Sequence, residues 1–310
     1  MAKLVHLKDV QYDPNTVVTV GTFDGVHGGH RALMETVIEK AKQRNARSVV
    51  ITFDPHPRDI INPGKGGIKL LSTLQERCEV LADLGIDELV VIPFDRDFSL
   101  LTSEDFVIDI VYKQIGICEF VIGYDHQFGK DRSGSIDTIQ RVGKELGFDA
   151  YVVSKKEMGE TTISSTVIRK AIAEEGDVKY AAALLGRTYM LNGMVMHGDE
   201  RGREIGFPTA NINPEHPNKI VPKQGVYAVK VRVDHVWYKG MMNIGVRPTF
   251  DGETTTLEVN IFDFSDTIYG KKIQVRFIDR IRDEQKFNGI EEIKAQLNED
   301  KKAALGILRD

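Results

Sequence analysis

From residue 17 to about residue 185, short runs of β-branched and apolar residues alternate with stretches of helical period, and this alternation narrows the possible folds more than any other feature. Strand-like segments fall at residues 17–23, 48–53, 88–94, 120–124 and 150–154, and helical spacing fills the intervals, as at 74–84 and 104–115. Strands separated by helices pair in parallel and are covered on both faces, so the first half predicts an α/β domain with a parallel sheet. In such sheets ligands bind beyond the carboxyl ends of the strands.

After about residue 186 the grammar changes. Residues 188–197, 225–234, 237–244, 254–262 and 271–278 read as strands divided by Gly, Asn, Asp and Pro turns, and only 290–308 has helical period. An antiparallel β-barrel with a C-terminal helix is expected there. Residues 171–185 lack the Pro, Gly or Ser richness of a loose linker and predict a connecting helix. The chain of 310 residues is thus expected to divide into domains 1–185 and 186–310.

Hydrophobic residues make up 41% of the chain, enough for two cores. A formal net charge of −5 argues against a nucleic-acid partner held by a general basic surface. The first ten residues lack the apolar core of a secretory signal, and no later run is long enough to span a bilayer. A cytoplasmic protein without a membrane partner is therefore expected, its two cysteines, Cys78 and Cys118, reduced and buried.

The first candidate site follows the segment Thr16-Val17-Val18-Thr19-Val20. Residues Gly21-Thr22-Phe23-Asp24-Gly25-Val26-His27-Gly28-Gly29-His30 set two imidazoles three residues apart among glycines, and Leu33, Met34, Val37, Ile38 and Ala41 then recur with helical period. A strand-to-helix turn of this kind presents unpaired amides and the positive end of a helix dipole, which favours an anion. The chain has no G-x-x-x-x-G-K-[ST] loop, so this is not a Walker-type phosphate site. It is not a zinc site either, because no third ligand stands at a metal-site spacing.

These ten residues resemble the H-x-G-H signature of the nucleotidyltransferase superfamily in the longer form found in its FMN adenylyltransferase branch. The resemblance implies a Rossmann-like domain in which His27 and His30 act on the α-phosphate of ATP, with Gly21, Phe23, Asp24 and Gly29 around them. Residues Ser164-Ser165-Thr166-Val167-Ile168-Arg169 are similar to the family's S-S-T-x-I-R signature. Read alone, they form a helix start with Ser164 as N-cap and hydroxyls and a guanidinium near the first turn. The resemblance implies that Ser164, Ser165, Thr166 and Arg169 hold the phosphates that leave as pyrophosphate. Gly123 to Gly129 resembles G-x-[DN]-F-x-F-G, with Asp125 facing ATP and His126 in place of the usual Phe. Thr52-Phe53-Asp54-Pro55-His56-Pro57 is similar to a flavin-side element that includes Asp54; read alone it is a proline-set turn.

In the second half, Gly198-Asp199-Glu200-Arg201-Gly202-Arg203-Glu204-Ile205-Gly206-Phe207-Pro208-Thr209-Ala210-Asn211 resembles the riboflavin kinase signature over nearly its full length. It implies phosphate contacts from Gly198, Arg203, Gly206 and Pro208, and ligation of the Mg²⁺ of MgATP by Thr209 and Asn211. Oxygen donors beside substrate phosphates suit that ion. A primary hydroxyl attacking a γ-phosphate needs a carboxylate base, and Glu258 is the candidate. The period of two in residues 256–262 puts Glu258, Asn260 and Phe262 on one face, with Asn260 where the family commonly has His. Arg282, Glu284 and Phe287 lie in a stretch similar to the family's R-x-E-x-K-F, implying a wall on the flavin side; a solvated helix start is the alternative.

The whole chain thus resembles the bacterial bifunctional riboflavin kinase/FMN adenylyltransferases, also called FAD synthetases. Riboflavin, ATP and FMN would be substrates, and FMN and FAD products. Two other readings stay open: the barrel as a flavin-binding regulatory module without catalysis, and a non-catalytic flavin-dependent regulator of another macromolecule. Oligomeric state is not legible in the sequence.

Overall fold

Every residue of the strand Thr16–Val20 is buried, as it must be where helices cover both faces of a sheet. The computed structural model describes residues 2–62, 67–124, 136–154, 163–198, 202, 205–249 and 252–309. The first half forms one six-stranded sheet from Lys3–His6 (β1), Thr16–Val20 (β2), Arg47–Asp54 (β3), Glu88–Pro93 (β4), Glu119–Gly123 (β5) and Asp149–Val153 (β6). Its order is β1-β4-β3-β2-β5-β6 and every described pairing is parallel. Five of these strands stand where the sequence places them; β1, only four residues long, had no legible signal.

Helix Gly28–Arg44 (α1) follows β2 and buries Leu33, Met34, Val37 and Ala41, four of the five periodic positions. Pro57–Ile61 (α2) and Leu74–Leu84 (α3) come between β3 and β4. The short turn Ser103–Asp105 (α4) runs into a π-helical stretch, Phe106–Ile115, and Ile136–Leu146 (α5) precedes β6. Phe106, Val107, Val111, Ile139 and Val142 from these elements pack on Val18, Val20, Ile51 and Ile122 of the sheet. Consecutive strands run outward from β2 through β3 to β4, and the chain then returns to place β5 on the other side of β2. This reversal is the topological switch point, where a crevice opens at the carboxyl ends of the strands. The histidine turn follows β2 at that end.

The second unit is a closed barrel of Tyr189–Met196 (β7), Ala210–Pro214 (β8), Gly225–Val233 (β9), Val236–Thr249 (β10), Gly252–Ile261 (β11) and Lys272–Arg282 (β12), in the order β10-β11-β8-β7-β12-β9. All its described pairings are antiparallel, and closure leaves no free edge. The strand without a sequence signal is β8, whose Asn and Pro content is poor for a strand. The last helix, Ile290–Ile307 (α8), lays Ala304 and Leu308 over Ala228, Met241 and Phe262 of the barrel.

The compact division of the chain differs from the boundary read from the sequence. Residues 165–310 and the excursion Lys69–Thr73 form the second unit, and the remainder forms the first. The helix expected over 171–185 is split: Ser165–Lys170 (α6) continues as a π-helical stretch, Ala171–Glu175, ends on Gly176 at φ 71°, and restarts as Val178–Leu185 (α7) under an Asp177 cap. Val178, Ala181 and Leu185 are buried, and α7 packs against β7 and β12, which draws it to the barrel. Leu70 joins the same unit through its N–H to the Asn218 carbonyl (2.7 Å) and its carbonyl to the Ile220 N–H (2.9 Å).

Candidate active sites

The turn after β2 is shaped before any ligand arrives. Gly21 donates to the Ile51 carbonyl at 3.0 Å, and Val26 donates to the Phe23 carbonyl at 3.0 Å. Phe23, Gly25 and Val26 all have positive φ, of 44°, 83° and 38°. For a Phe and a Val such angles are strained, so the surroundings must hold them. Gly21 is required by the fold: a Cβ there would lie 2.8 Å from the Phe23 ring.

His27 occupies the N-cap position of α1 with extended backbone, and His30 is the third residue of the helix. One helical turn stacks their rings, with centroids 3.7 Å apart and planes inclined by 18°. The Phe23 and His30 rings pack at right angles with centroids 5.2 Å apart. Two parallel imidazoles therefore stand at the mouth of a helix N-terminus whose first amides belong to Gly28 and Gly29, a combination suited to a phosphate. A Cβ at Gly29 would make only ordinary contact with the His27 ring, at 3.5 Å. Asp24, expected around the ATP phosphates, is 1% exposed and faces the buried Arg77 guanidinium at 3.8 Å. Sequence reasoning passed over Arg77, an arginine within an amphipathic helix and outside every motif.

Asp54 lies exposed at the end of β3. Ser164 immediately precedes α6, in the position the sequence gives it as a cap. Ser165, Thr166 and Arg169 belong to the second unit, and the Arg169 Nε donates to the Lys69 carbonyl at 2.7 Å. Asp125, His126 and Arg203 lie outside the described residues. Cys78 and Cys118 are free thiols, and burial raises the pKa of both.

In the barrel, strand register assembles residues far apart in sequence. Glu258 on β11 pairs directly with Asn211 on β8 and with Asn243 on β10, so three polar side chains form one row across three strands. The row lies on the face opposite the buried Leu257, Val259 and Ile261. The Thr209 hydroxyl stands 3.5 Å from the Glu258 carboxylate. Asn260, two residues along on the same face, donates its amide to the Pro208 carbonyl at 2.7 Å and so fixes the turn that carries Thr209. Phe207 donates to the Gly202 carbonyl at 2.8 Å, and a Cβ on Gly198 would fall 1.9 Å from the Asn211 amide, so Gly198 lies directly against Asn211. Gly206 supplies the left-handed turn at φ 82°. Asn243 opens a segment, residues 243–249, that fits the kinase pattern in sequence, but sequence reasoning gave it no role in the site.

The three residues expected on the flavin side have different fates. Arg282 forms a bidentate pair with Asp300 of α8 (2.8 and 2.6 Å), and Asp300 is 1% exposed. Its guanidinium ties the last strand to the last helix. Phe287 lies beside that guanidinium, 5.9 Å from its ring centroid. Glu284 reaches the barrel wall at Gly245, where a Cβ would meet its Oε1 at 2.5 Å. It also lines a cavity of about 510 Å³ with Val221, Pro222, Ile244, Thr255 and Asp283.

Comparison with known proteins joins the two halves. A family model described as FAD synthetase matches residues 9–167, and one described as riboflavin kinase matches residues 185–308. The bifunctional riboflavin kinase/FMN adenylyltransferase of Escherichia coli K12 is 38% identical over 93% of this chain and 91% of its own length. That of Bacillus subtilis is 38% identical over 94% and 92%. A crystal structure described as a macrolide-efflux protein from Streptococcus pneumoniae superposes with a TM-score of 0.86 at 34% identity, covering 97% of this chain and 98% of that one. Among the described residues here, no helix is long and apolar enough to cross a membrane.

Proposed function

The chain belongs to the bifunctional riboflavin kinase/FMN adenylyltransferase family, and from that premise we propose which of its residues perform the two reactions. The segment matched by the riboflavin kinase model, residues 185–308, phosphorylates riboflavin to FMN, and the N-terminal segment matched by the FAD synthetase model adenylylates FMN to FAD.

For the kinase, the row Asn211–Glu258–Asn243 with Thr209 beside it carries the assignment. Glu258 accepts the proton of the ribityl hydroxyl as its oxygen bonds to the γ-phosphorus and the bond to the β-bridging oxygen of ATP breaks. Asn211 and Thr209 offer hard oxygen donors, and no cluster of three or more His, Cys, Asp or Glu residues suited to a metal occurs among the described residues. That donor set fits Mg²⁺, which keeps waters and relies on substrate phosphates to complete its shell. When bound, the ion neutralises charge on the β- and γ-phosphates. Glu284 and the cavity it lines form the flavin side.

For the adenylyltransferase, an FMN phosphate oxygen attacks the α-phosphorus of ATP and pyrophosphate departs. His27 and His30 donate to the charge that develops there, together with the first amides of α1. Ser164, Ser165, Thr166 and Arg169 are assigned to the departing phosphates. The chain works as a cytoplasmic enzyme with no nucleic-acid partner.

Chromatography of flavins after incubation of the protein with riboflavin and MgATP, and separately with FMN and MgATP, tests the residue assignments when repeated on single variants. Glu258→Gln should abolish only the first conversion and His30→Ala only the second.

A further inference from the structure

Arg77, on α3, is 4% exposed, and it sits behind the histidine loop rather than in it. Burial pulls its pKa down, while the carboxylates of Asp24, Asp54 and Glu76 raise it; Asp24 and Glu76 are themselves 1% and 0% exposed. A buried guanidinium among carboxylates contributes little net stability compared with a well-packed apolar cluster. What it does provide here is directional. Its Nη1 donates to the Thr52 hydroxyl at 2.8 Å, and that hydroxyl donates in turn to the Thr22 carbonyl at 3.1 Å. Its Nη2 lies 3.8 Å from the Asp24 carboxylate. The two arms thus grip the loop on either side of Phe23, whose backbone is held at φ 44° and whose ring meets His30.

We propose that Arg77 is a positioning residue of the adenylyltransferase site: through Thr52 and Asp24 it fixes Thr22 to Asp24, and through the Phe23 ring it sets the imidazole of His30. The inference rests on the assignment of His30 to the reacting phosphate. The loop of residues 22–24 lies between a buried fork and a catalytic ring, so a change in the fork moves the ring while the phosphate-facing amides of α1 stay in place. Loss of the fork should therefore lower kcat and leave the KM for ATP nearly unchanged, because His30 acts on charge that develops only in the transition state.

The test uses the full-length protein and two variants. Arg77→Lys keeps the buried positive charge but not the fork; Thr52→Val keeps volume and removes the relay to Thr22. For each, FMN adenylylation, riboflavin phosphorylation and Tm are measured, and each is combined with His30→Ala in a double-mutant cycle. Both variants should lose about tenfold or more in adenylylation kcat, with the KM for ATP within about twofold and phosphorylation unchanged. Each double variant should be no slower than His30→Ala alone. Should Arg77→Lys fail to fold, Thr52→Val carries the same comparison. Unchanged kcat in folded variants, a rise in KM alone, or losses that multiply with that of His30→Ala would each overturn the proposal. Full activity of His30→Ala by itself would remove the histidine assignment and the proposal with it, an outcome distinct from multiplied losses on an inactive His30→Ala background.

Discussion

Changing Glu258 to glutamine keeps the volume of the side chain and its place in the cross-strand row with Asn211 and Asn243, but removes the proton acceptor. The structural cost is small. Among the described residues the hydrogen bond to the carboxylate comes from Thr209 and is 3.5 Å long, at the outer limit for such a bond, so its loss should change stability by no more than about 0.5 kcal/mol. The chemical cost is much larger: loss of a positioned general base lowers rates by about 10² to 10⁴, or about 3–5 kcal/mol of transition-state stabilisation. The variant should therefore melt within a degree or two of the parent and fail to make FMN from riboflavin and MgATP. Supplied with FMN, it should still make FAD, because the histidine turn belongs to the other unit. Flavin chromatography with thermal denaturation reads all three quantities. A folded Glu258→Gln protein with full kinase activity would refute the base assignment and the reasoning from strand register behind it.

His30→Ala should lower FMN adenylylation by about 10²-fold or more, the usual worth of a donor to developing charge, so that FMN accumulates from riboflavin; near-normal FAD synthesis would remove His30 from the site. Asp300→Ala leaves the Arg282 guanidinium, 16% exposed, without its bidentate partner; removing one member of a buried pair costs about 3 kcal/mol, or a fall of roughly 6–12 °C in Tm for a unit of this size, and an unchanged Tm would show that the pair does not hold α8 to the barrel. A fragment of residues 1–185 keeps His30 and Arg169 but strips Val178, Ala181 and Leu185 of β7 and β12 and residues 69–73 of their backbone partners at 218–220. It should melt lower than the full chain yet still convert FMN to FAD when folded, and loss of that activity in a well-folded fragment would show that adenylylation needs residues beyond 185.

What the sequence shows plainly is what depends on local period and local motif. The alternation in the first half yields five of the six parallel strands, and the histidine turn stands at the switch point because a β-branched run must precede it and a helical run must follow. Residues whose role depends on a distant partner are silent. Arg77 reads as one charge on an amphipathic helix until the fold brings Thr52 and Asp24 to it, and nothing in the sequence near Arg282 announces its pairing with Asp300 of α8. Position 260 falls between these cases. The sequence marks Asn260 as a departure from the histidine common there, and the fold shows the side chain used as a donor to the Pro208 carbonyl. An imidazole N–H can make the same kind of bond. What asparagine supplies at this position is a donor facing the turn that carries Thr209, beside the row of Asn211, Glu258 and Asn243.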